Sequence, residues 1–522
     1  MAISVVGAPA YAAGLALLAF TYFVIYPVIW YFRDSKGLRK FPTVSPFSGI
    51  SNLPFMFVAQ KGARSEYLLG KHKEKGPILR TGTNTLSFGS VLAIKDIYGH
   101  NTPCLKDESY VLTAGDHYHL ADVIDRADHA RKRRVLSAAY AIKNLQEWEF
   151  KVVDKVERLF KKFDASCTAP LPKGQIYPDP KDVNIDYRQW TNYFTLDAIT
   201  DIGLSESLGL LDQGHDMVTA MRPDGTTYKA DIRESLYPNA RKQAHLIWSY
   251  DYYKLLNKLV DIIPYYRKMT VAGINWEAIV NNASHRRLQR YKAGEKGDDF
   301  FLSLMENKKG EPNNLPWGEI CAEINIMMNA GSVTTAIAVT NVLYELLKQP
   351  KILAKLREEV DAALDPNEVV APFSKVKNLP YLKACLDEAL RLQPPTPQNL
   401  GRVTPPEGMN IMGEYIPGNT SVGMSALVAH RDETVFPNAD KFIPERWFGE
   451  AGKSLQSSFI TFSAGGRGCI GRNITYLEQQ ILIASLVHRY EFALPQGFQL
   501  QREETMNHIL GPMPVKIWRR QA

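Results

Sequence analysis

Cys469 lies in the stretch Phe462-Ser463-Ala464-Gly465-Gly466-Arg467-Gly468-Cys469-Ile470-Gly471. These residue types suit one task, the presentation of a sulfur to a metal. A thiolate ligand needs a stabilised negative charge and access to the ion. Glycines at 465, 466, 468 and 471 let the backbone approach a flat cofactor with no Cβ in the way. A helix predicted from about Arg472 to Arg489 would aim its N-terminal N–H groups and dipole at the sulfur. Ile474, Leu477, Ile481 and Ala484 form the apolar stripe that would seat that helix. Arg467 can reach an anionic group on the cofactor rim.

The same residues admit a rival. Gly466, Gly468 and Gly471 spell G-x-G-x-x-G after a strand-like SFITF, and Glu491 follows about 20 residues on. Context excludes that dinucleotide fingerprint, because too little chain remains after Glu491 and no strand–helix alternation precedes it. A buried structural cysteine does not account for the surrounding glycines and arginine. The pattern F-x-x-G-x-R-x-C-x-G, filled by Phe462, Gly465, Arg467, Cys469 and Gly471, resembles the heme-binding signature of cytochromes P-450. The resemblance implies heme b with Cys469 as axial iron ligand.

Other constellations fit the same family. Glu388 and Arg391 stand at i, i+3 beside a buried stripe. Taken alone the pair reads as a surface ion pair. The resemblance implies a network with Arg446, in Pro444-Glu-Arg-Trp, bracing the cysteine loop. Ala330-Gly331-Ser332-Val333-Thr334-Thr335 interrupts a long helical run with poor helix formers. It is similar to the family's oxygen-binding groove, A-G-x-D/E-T-T. Ala330 and Gly331 would then make room for O₂ and Thr334 would relay protons. Val333 departs from that pattern, because valine carries no proton where the family has a carboxylate. His129 and Arg133 share one helix face. They take the places of the family's W-x-x-x-R, which binds a heme propionate, and Arg402 is a third partner implied for the propionates. Arg131, Lys132 and Arg134 read as a solvated basic face or a dock for an acidic electron donor.

These residues need a large frame. The chain of 522 residues is 45% hydrophobic and 22% charged, ordinary globular values. Its net charge of +7 is spread along the sequence, which suits a membrane surface or an acidic partner and argues against nucleic acid. The five cysteines are scattered, which excludes a disulfide framework. No charged side chain occurs from Met1 to Phe32, and Ala10 to Phe32 would span about 35 Å as a helix, enough to cross a bilayer. Arg33, Lys36, Arg39 and Lys40 follow, so the positive-inside rule puts the rest in the cytosol.

We therefore expect residues 1–32 to be a membrane anchor and 33–60 a basic hinge, which Pro42, Pro46 and Pro54 keep extended. Residues 61–522 form one heme-thiolate domain, mainly α with small β-sheets. Two strands are predicted around a turn within Ile78–Phe88, helix from about Asp122 to Phe163, and a loop through the prolines of 167–182. A polar break is predicted between Asp212 and Glu234, and a long helix from about 317 to 348.

The resemblance, closest to microsomal fungal members, implies a single-pass protein of the endoplasmic reticulum membrane. It would be a monooxygenase that oxidises a hydrophobic small molecule in secondary metabolism or detoxification. Electrons would come from NADPH through a cytochrome P-450 reductase, with cytochrome b5 as an optional second donor. Two alternatives stand beside it: rearrangement, desaturation or coupling without oxygen insertion, and a non-catalytic heme protein.

Overall fold

A computed structural model describes residues 7–137, 139–140 and 146–520. Helices dominate. The long helix Trp317–Lys348 runs through the centre and buries nineteen of its residues. It ends because Pro350 disfavours helical backbone at Gln349. Against it lies Tyr187–Leu204, buried on nearly every side. Glycines let the two helices approach: a Cβ on Gly331 would lie 2.5 Å from Ile199 Cγ1, and one on Gly203 would collide with Met327. Helices Pro380–Leu392 and Arg472–Arg489 pack against the same long helix.

The strands form small sheets. The largest has the order 78–82, 85–88, 421–423, 402–403, 105–106. Ser421–Gly423 pairs parallel to Thr85–Phe88, and the other neighbours are antiparallel. Its last ladder sets Lys106 directly opposite Arg402. Like charges in that register oppose each other, a cost that sheets ordinarily avoid. A second sheet joins 490–493, 514–519 and 185–186.

Several expectations hold. The strands Ile78–Gly82 and Thr85–Phe88 form the hairpin, and the final helix spans Arg472–Arg489. The helical stretch from Asp122 comprises Arg126–Ser137 and Glu149–Ser166, while residues 138 and 141–145 lie outside the described residues.

Two expectations change. The polar break is a β-hairpin, Met217–Met221 with Thr227–Asp231. Arg222-Pro-Asp-Gly-Thr226 supplies the turn. The hinge is not extended throughout, because Leu53–Gln60 is a helix with Pro54 in its first turn, where proline is tolerated. It buries Phe55, Met56 and Ala59, and Phe55 packs edge-on against Trp248. Ahead of it, Tyr11–Arg33 is one apolar helical run of mean hydropathy 2.0, wholly unburied.

Candidate active site

The cysteine loop is held by its own backbone. Cys469 N donates to Phe462 O at 2.8 Å, and Gly468 N to Gly465 O at 3.0 Å. Gly465 has φ +63°, and a Cβ there would strike the Tyr98 carbonyl, so only glycine fits. By contrast Gly466 has nothing within 4 Å of a Cβ and Gly471 nothing nearer than 3.9 Å, while a Cβ on Gly468 would press on Gly465 O at 3.2 Å. The loop thus packs tightly at Gly465 and stays open at Gly466 and Gly471. Phe462 stacks at an angle on Tyr476, with Arg472 over its face.

Cys469 is surface-accessible although the protein body surrounds it, so it faces internal space. Burial pushes its thiol above the usual range. The N–H groups of Gly471 and Arg472, at the start of the final helix, oppose that shift, as do the Arg133 and Arg472 guanidiniums. The helix N-terminus therefore aims at the sulfur, but burial outweighs it. A metal cation on the sulfur would tip the balance to thiolate.

Cations gather on one side of this loop. Arg467 donates to Val123 O (2.7 Å) and Ile124 O (2.8 Å), and Arg133 to Gly468 O (2.7 Å). Arg402 donates to Gly401 O (2.9 Å) and Tyr110 Oη (3.3 Å). Lys106 joins them, bonded to Ala121 O. Burial, then Arg402 and Arg467, push Lys106 down to about 7. Burial and neighbouring arginines push Arg467 down to about 10, and His129, buried among Arg467, Lys106 and Arg133, down to about 4. The nearby Asp122 carboxyl is itself raised to about 7 by burial, so it offers little counter-charge. A cluster of buried cations that repel one another is what a flat group with two carboxylates would neutralise. The residues present fit heme b: a thiol, an open glycine face and an uncompensated cationic rim.

Behind the loop, Glu388 and Arg391 are fully buried and doubly bonded at 2.9 Å. Glu388 also accepts from Arg446 Nε (2.9 Å), Ile443 N (2.9 Å) and Trp447 Nε1 (3.0 Å). Sequence reasoning missed how this network reaches the loop. His430 bonds Arg391 O through Nδ1 (3.1 Å) and accepts Ile460 N at Nε2 (3.0 Å). Burial and Arg391 hold His430 neutral, down to about 3, so one ring nitrogen donates while the other accepts. Thr461 then bonds Leu390 O.

On the long helix, Thr334 Oγ1 donates back to Ala330 O at 2.7 Å. Ala330, Gly331 and Thr334 are half-buried and Val333 is buried. Gly331's bare side faces Ile199, so that glycine serves the helix crossing. Val333 borders a cavity of about 120 Å³ shared with Asn329, Leu236, Trp248, Tyr110 and Met506. Lys132 corrects an expectation. It is buried and paired with Glu319 (2.8 Å) and Glu323 (3.2 Å) of the long helix, so it belongs to no solvated basic face. Arg131 is likewise tied to Asp128 and Glu319. Lys106 and His430 carried no signal in any local motif.

This arrangement defines a heme-thiolate protein. Residues 53–518 match the cytochrome P450 family model. The chain is 30% identical over 499 residues to the cytochrome P450 monooxygenase cicH of Emericella nidulans, covering 92% of this chain and 94% of that one. It is 27% identical over 520 residues to the benzoate 4-monooxygenase bphA of Aspergillus niger, covering 97% of each. The cytochrome P450 monooxygenase atr2 of Stereocaulon alpinum is 29% identical, covering 92% and 90%. The chain belongs to the cytochrome P450 family and is a monooxygenase of that family.

Proposed function

We propose that this monooxygenase holds heme b on Cys469 and oxidises a hydrophobic small molecule with O₂. Its electrons come from an NADPH-dependent reductase, and its role lies in secondary metabolism or detoxification. The observation that carries the reading is the cysteine loop, with Cys469 at an open glycine face beside an uncompensated cationic rim. Heme b bound there would supply oxygen activation at a thiolate-ligated iron.

The chain's own residues do the rest. Arg133, Arg402, Arg467, Lys106 and His129 bind and orient the carboxylates. The Glu388–Arg391–Arg446 network holds the loop at a fixed distance from the long helix. Thr334 holds a proton at Oγ1 beside the groove, and the cavity at Val333 takes the substrate.

Residues 1–32 anchor the protein in the endoplasmic reticulum membrane with the remainder facing the cytosol. Exposed Leu255, Leu259, Ile262, Ile263 and Tyr265 support a second contact with lipid. A basic linker follows the anchor. The catalytic unit starts nearer Leu53 than 61, since Leu53–Gln60 packs on the body.

The test is reconstitution with a reductase and NADPH under ¹⁸O₂. Labelled product supports oxygen insertion. Val333, which cannot deliver a proton, favours a second reading in which the enzyme rearranges, desaturates or couples its substrate. Unlabelled product would select it. A thiolate-heme spectrum without any product would select a non-catalytic heme protein.

A further inference from the structure

The cavity at Val333 has an unusual wall for a site that takes an apolar molecule. Among the described residues lining it there is no Asp, Glu, Lys or Arg. Its polar residues are neutral amides, hydroxyls and one histidine, His508, which burial pushes down to about 3 and so keeps uncharged.

Most of these polar groups are already engaged. Gln398 accepts Arg64 Nη2 at 2.9 Å, and Asn507 accepts the Thr396 hydroxyl at 2.6 Å. Tyr237 receives Arg188 (2.9 Å) and Asn192 (2.7 Å). The cations behind the wall are already engaged: Arg64 is paired with Glu504 at 2.8 Å, Arg188 bonds Asn192 and Tyr237, and Arg402 bonds Gly401 O and Tyr110 Oη.

Three amides are not engaged, and they come from three separate elements. Gln243, from helix Ile232–Leu246, and Asn329, from the long helix, are half-buried on the cavity wall, and their side chains make no hydrogen bond among the described residues. Asn329 lies one turn before Val333 on the same helix face, so it flanks the groove. Asn399 comes from the segment between helix Pro380–Leu392 and strand Arg402–Val403, and its Oδ1 is buried without a partner. The Asn399 amide rests against the bare face of Gly423, where a Cβ would collide with it.

A carboxylate entering this cavity would lose its water and meet no charged side chain on the lining itself, which is unfavourable. An uncharged molecule bearing hydroxyl and carbonyl groups would meet donors and acceptors that now lack partners. We propose that the substrate is an uncharged, oxygen-bearing small molecule, selected over carboxylate anions, with Gln243, Asn329 and Asn399 as its specificity-determining contacts. This deepens the reading of Cys469 as a heme-thiolate monooxygenase and rests on it.

The experiment is an equilibrium titration of the full-length holoenzyme. The probes are matched pairs of phenolic carboxylic acids and their methyl esters, of one to three rings, beginning with 4-hydroxybenzoate and methyl 4-hydroxybenzoate. Binding is read by heme absorbance and, independently, by calorimetry. The CO-difference spectrum of the same preparation establishes the thiolate heme first, so a failure of that reading is seen separately.

The expected result is that the esters of the best-binding pairs bind at least tenfold more tightly than their acids. Gln243→Leu and Asn329→Leu should each weaken ester binding about threefold to tenfold, the loss of one hydrogen bond. They should leave the CO-difference spectrum intact and change the affinity of the corresponding ester without its phenol much less. Acids that bind as tightly as their esters overturn the proposal. So do Leu variants that bind as wild type, or a panel in which no ester binds to intact thiolate-heme protein.

Discussion

Glu478 is a buried acid whose ionisation the fold resists. It lies fully buried on helix Arg472–Arg489, with the Thr335 hydroxyl beside its carboxyl. Burial pushes it up to about 8. The Thr335 hydroxyl, itself 3.2 Å from that of Thr475, is the one group opposing the shift. In an unfolded chain a glutamate titrates near 4.3. Between those values the folded protein keeps a proton that the unfolded chain has released. Stability from this group is therefore full below about pH 4.3 and falls as pH rises, by about 1.4 kcal/mol per unit, until pH 8. From pH 5.5 to 7.5 the loss is about 3 kcal/mol. Glu478→Gln keeps the shape and removes the titration. Urea unfolding, with refolding demonstrated, should show wild type losing stability across that interval by about 3 kcal/mol more than the variant. A protonated-carboxyl infrared band should be present in wild type at pH 6 and missing from the variant. Parallel stability curves, or spectra without that difference, would refute the reasoning.

Cys469→Ser should retain far-UV circular dichroism yet lose the thiolate signature of the CO-difference spectrum, and an unchanged spectrum would remove Cys469 as ligand. Glu388→Ala strips the partners of Arg391, Arg446 and Trp447 and leaves a buried guanidinium uncompensated. It should cost about 3–5 kcal/mol in unfolding and release heme, measured by denaturation and by heme content. Val333→Asp places a carboxyl on a cavity wall that has no cation, so it should remain protonated and fail to raise product formed per NADPH consumed. A clear rise in coupling would show that an acid at 333 is what the groove lacks.

The cysteine loop was legible because its demands are local. Gly465 must be glycine for its φ and its contact with Tyr98, and the helix that follows begins within the same dozen residues. The long helix was legible from its apolar run and flanking prolines. Lys106 was not, because its meaning comes from the ladder that sets it opposite Arg402, a pairing no local pattern announces. His430 was hidden for the same reason, since its two partners, Arg391 and Ile460, lie on different segments. Lys132 misled because helix periodicity shows which face a residue takes, not what packs on that face. Here Glu319 and Glu323 of a distant helix cover it. The hairpin 217–231 is hard to read although Pro223-Asp-Gly marks its turn, because both strands are short and the second, Thr-Tyr-Lys-Ala-Asp, is mostly polar.

The site distributes charge unequally around the place of the cofactor, and each part has its own physical consequence. The sulfur side has dipoles without a carboxylate, so thiolate forms at the expense of burial only when a cation shares it. The rim has cations in excess, which depress one another until carboxylates arrive. Holding heme b should therefore relieve electrostatic strain already present in the fold, and cofactor binding and folding should stabilise each other. The cavity at Val333 carries no charge among its described lining residues. With no charged side chain on that wall, selectivity for a molecule entering there would fall to hydrogen bonds and shape, and the same neutrality leaves Val333 without a carboxylate among its described cavity neighbours.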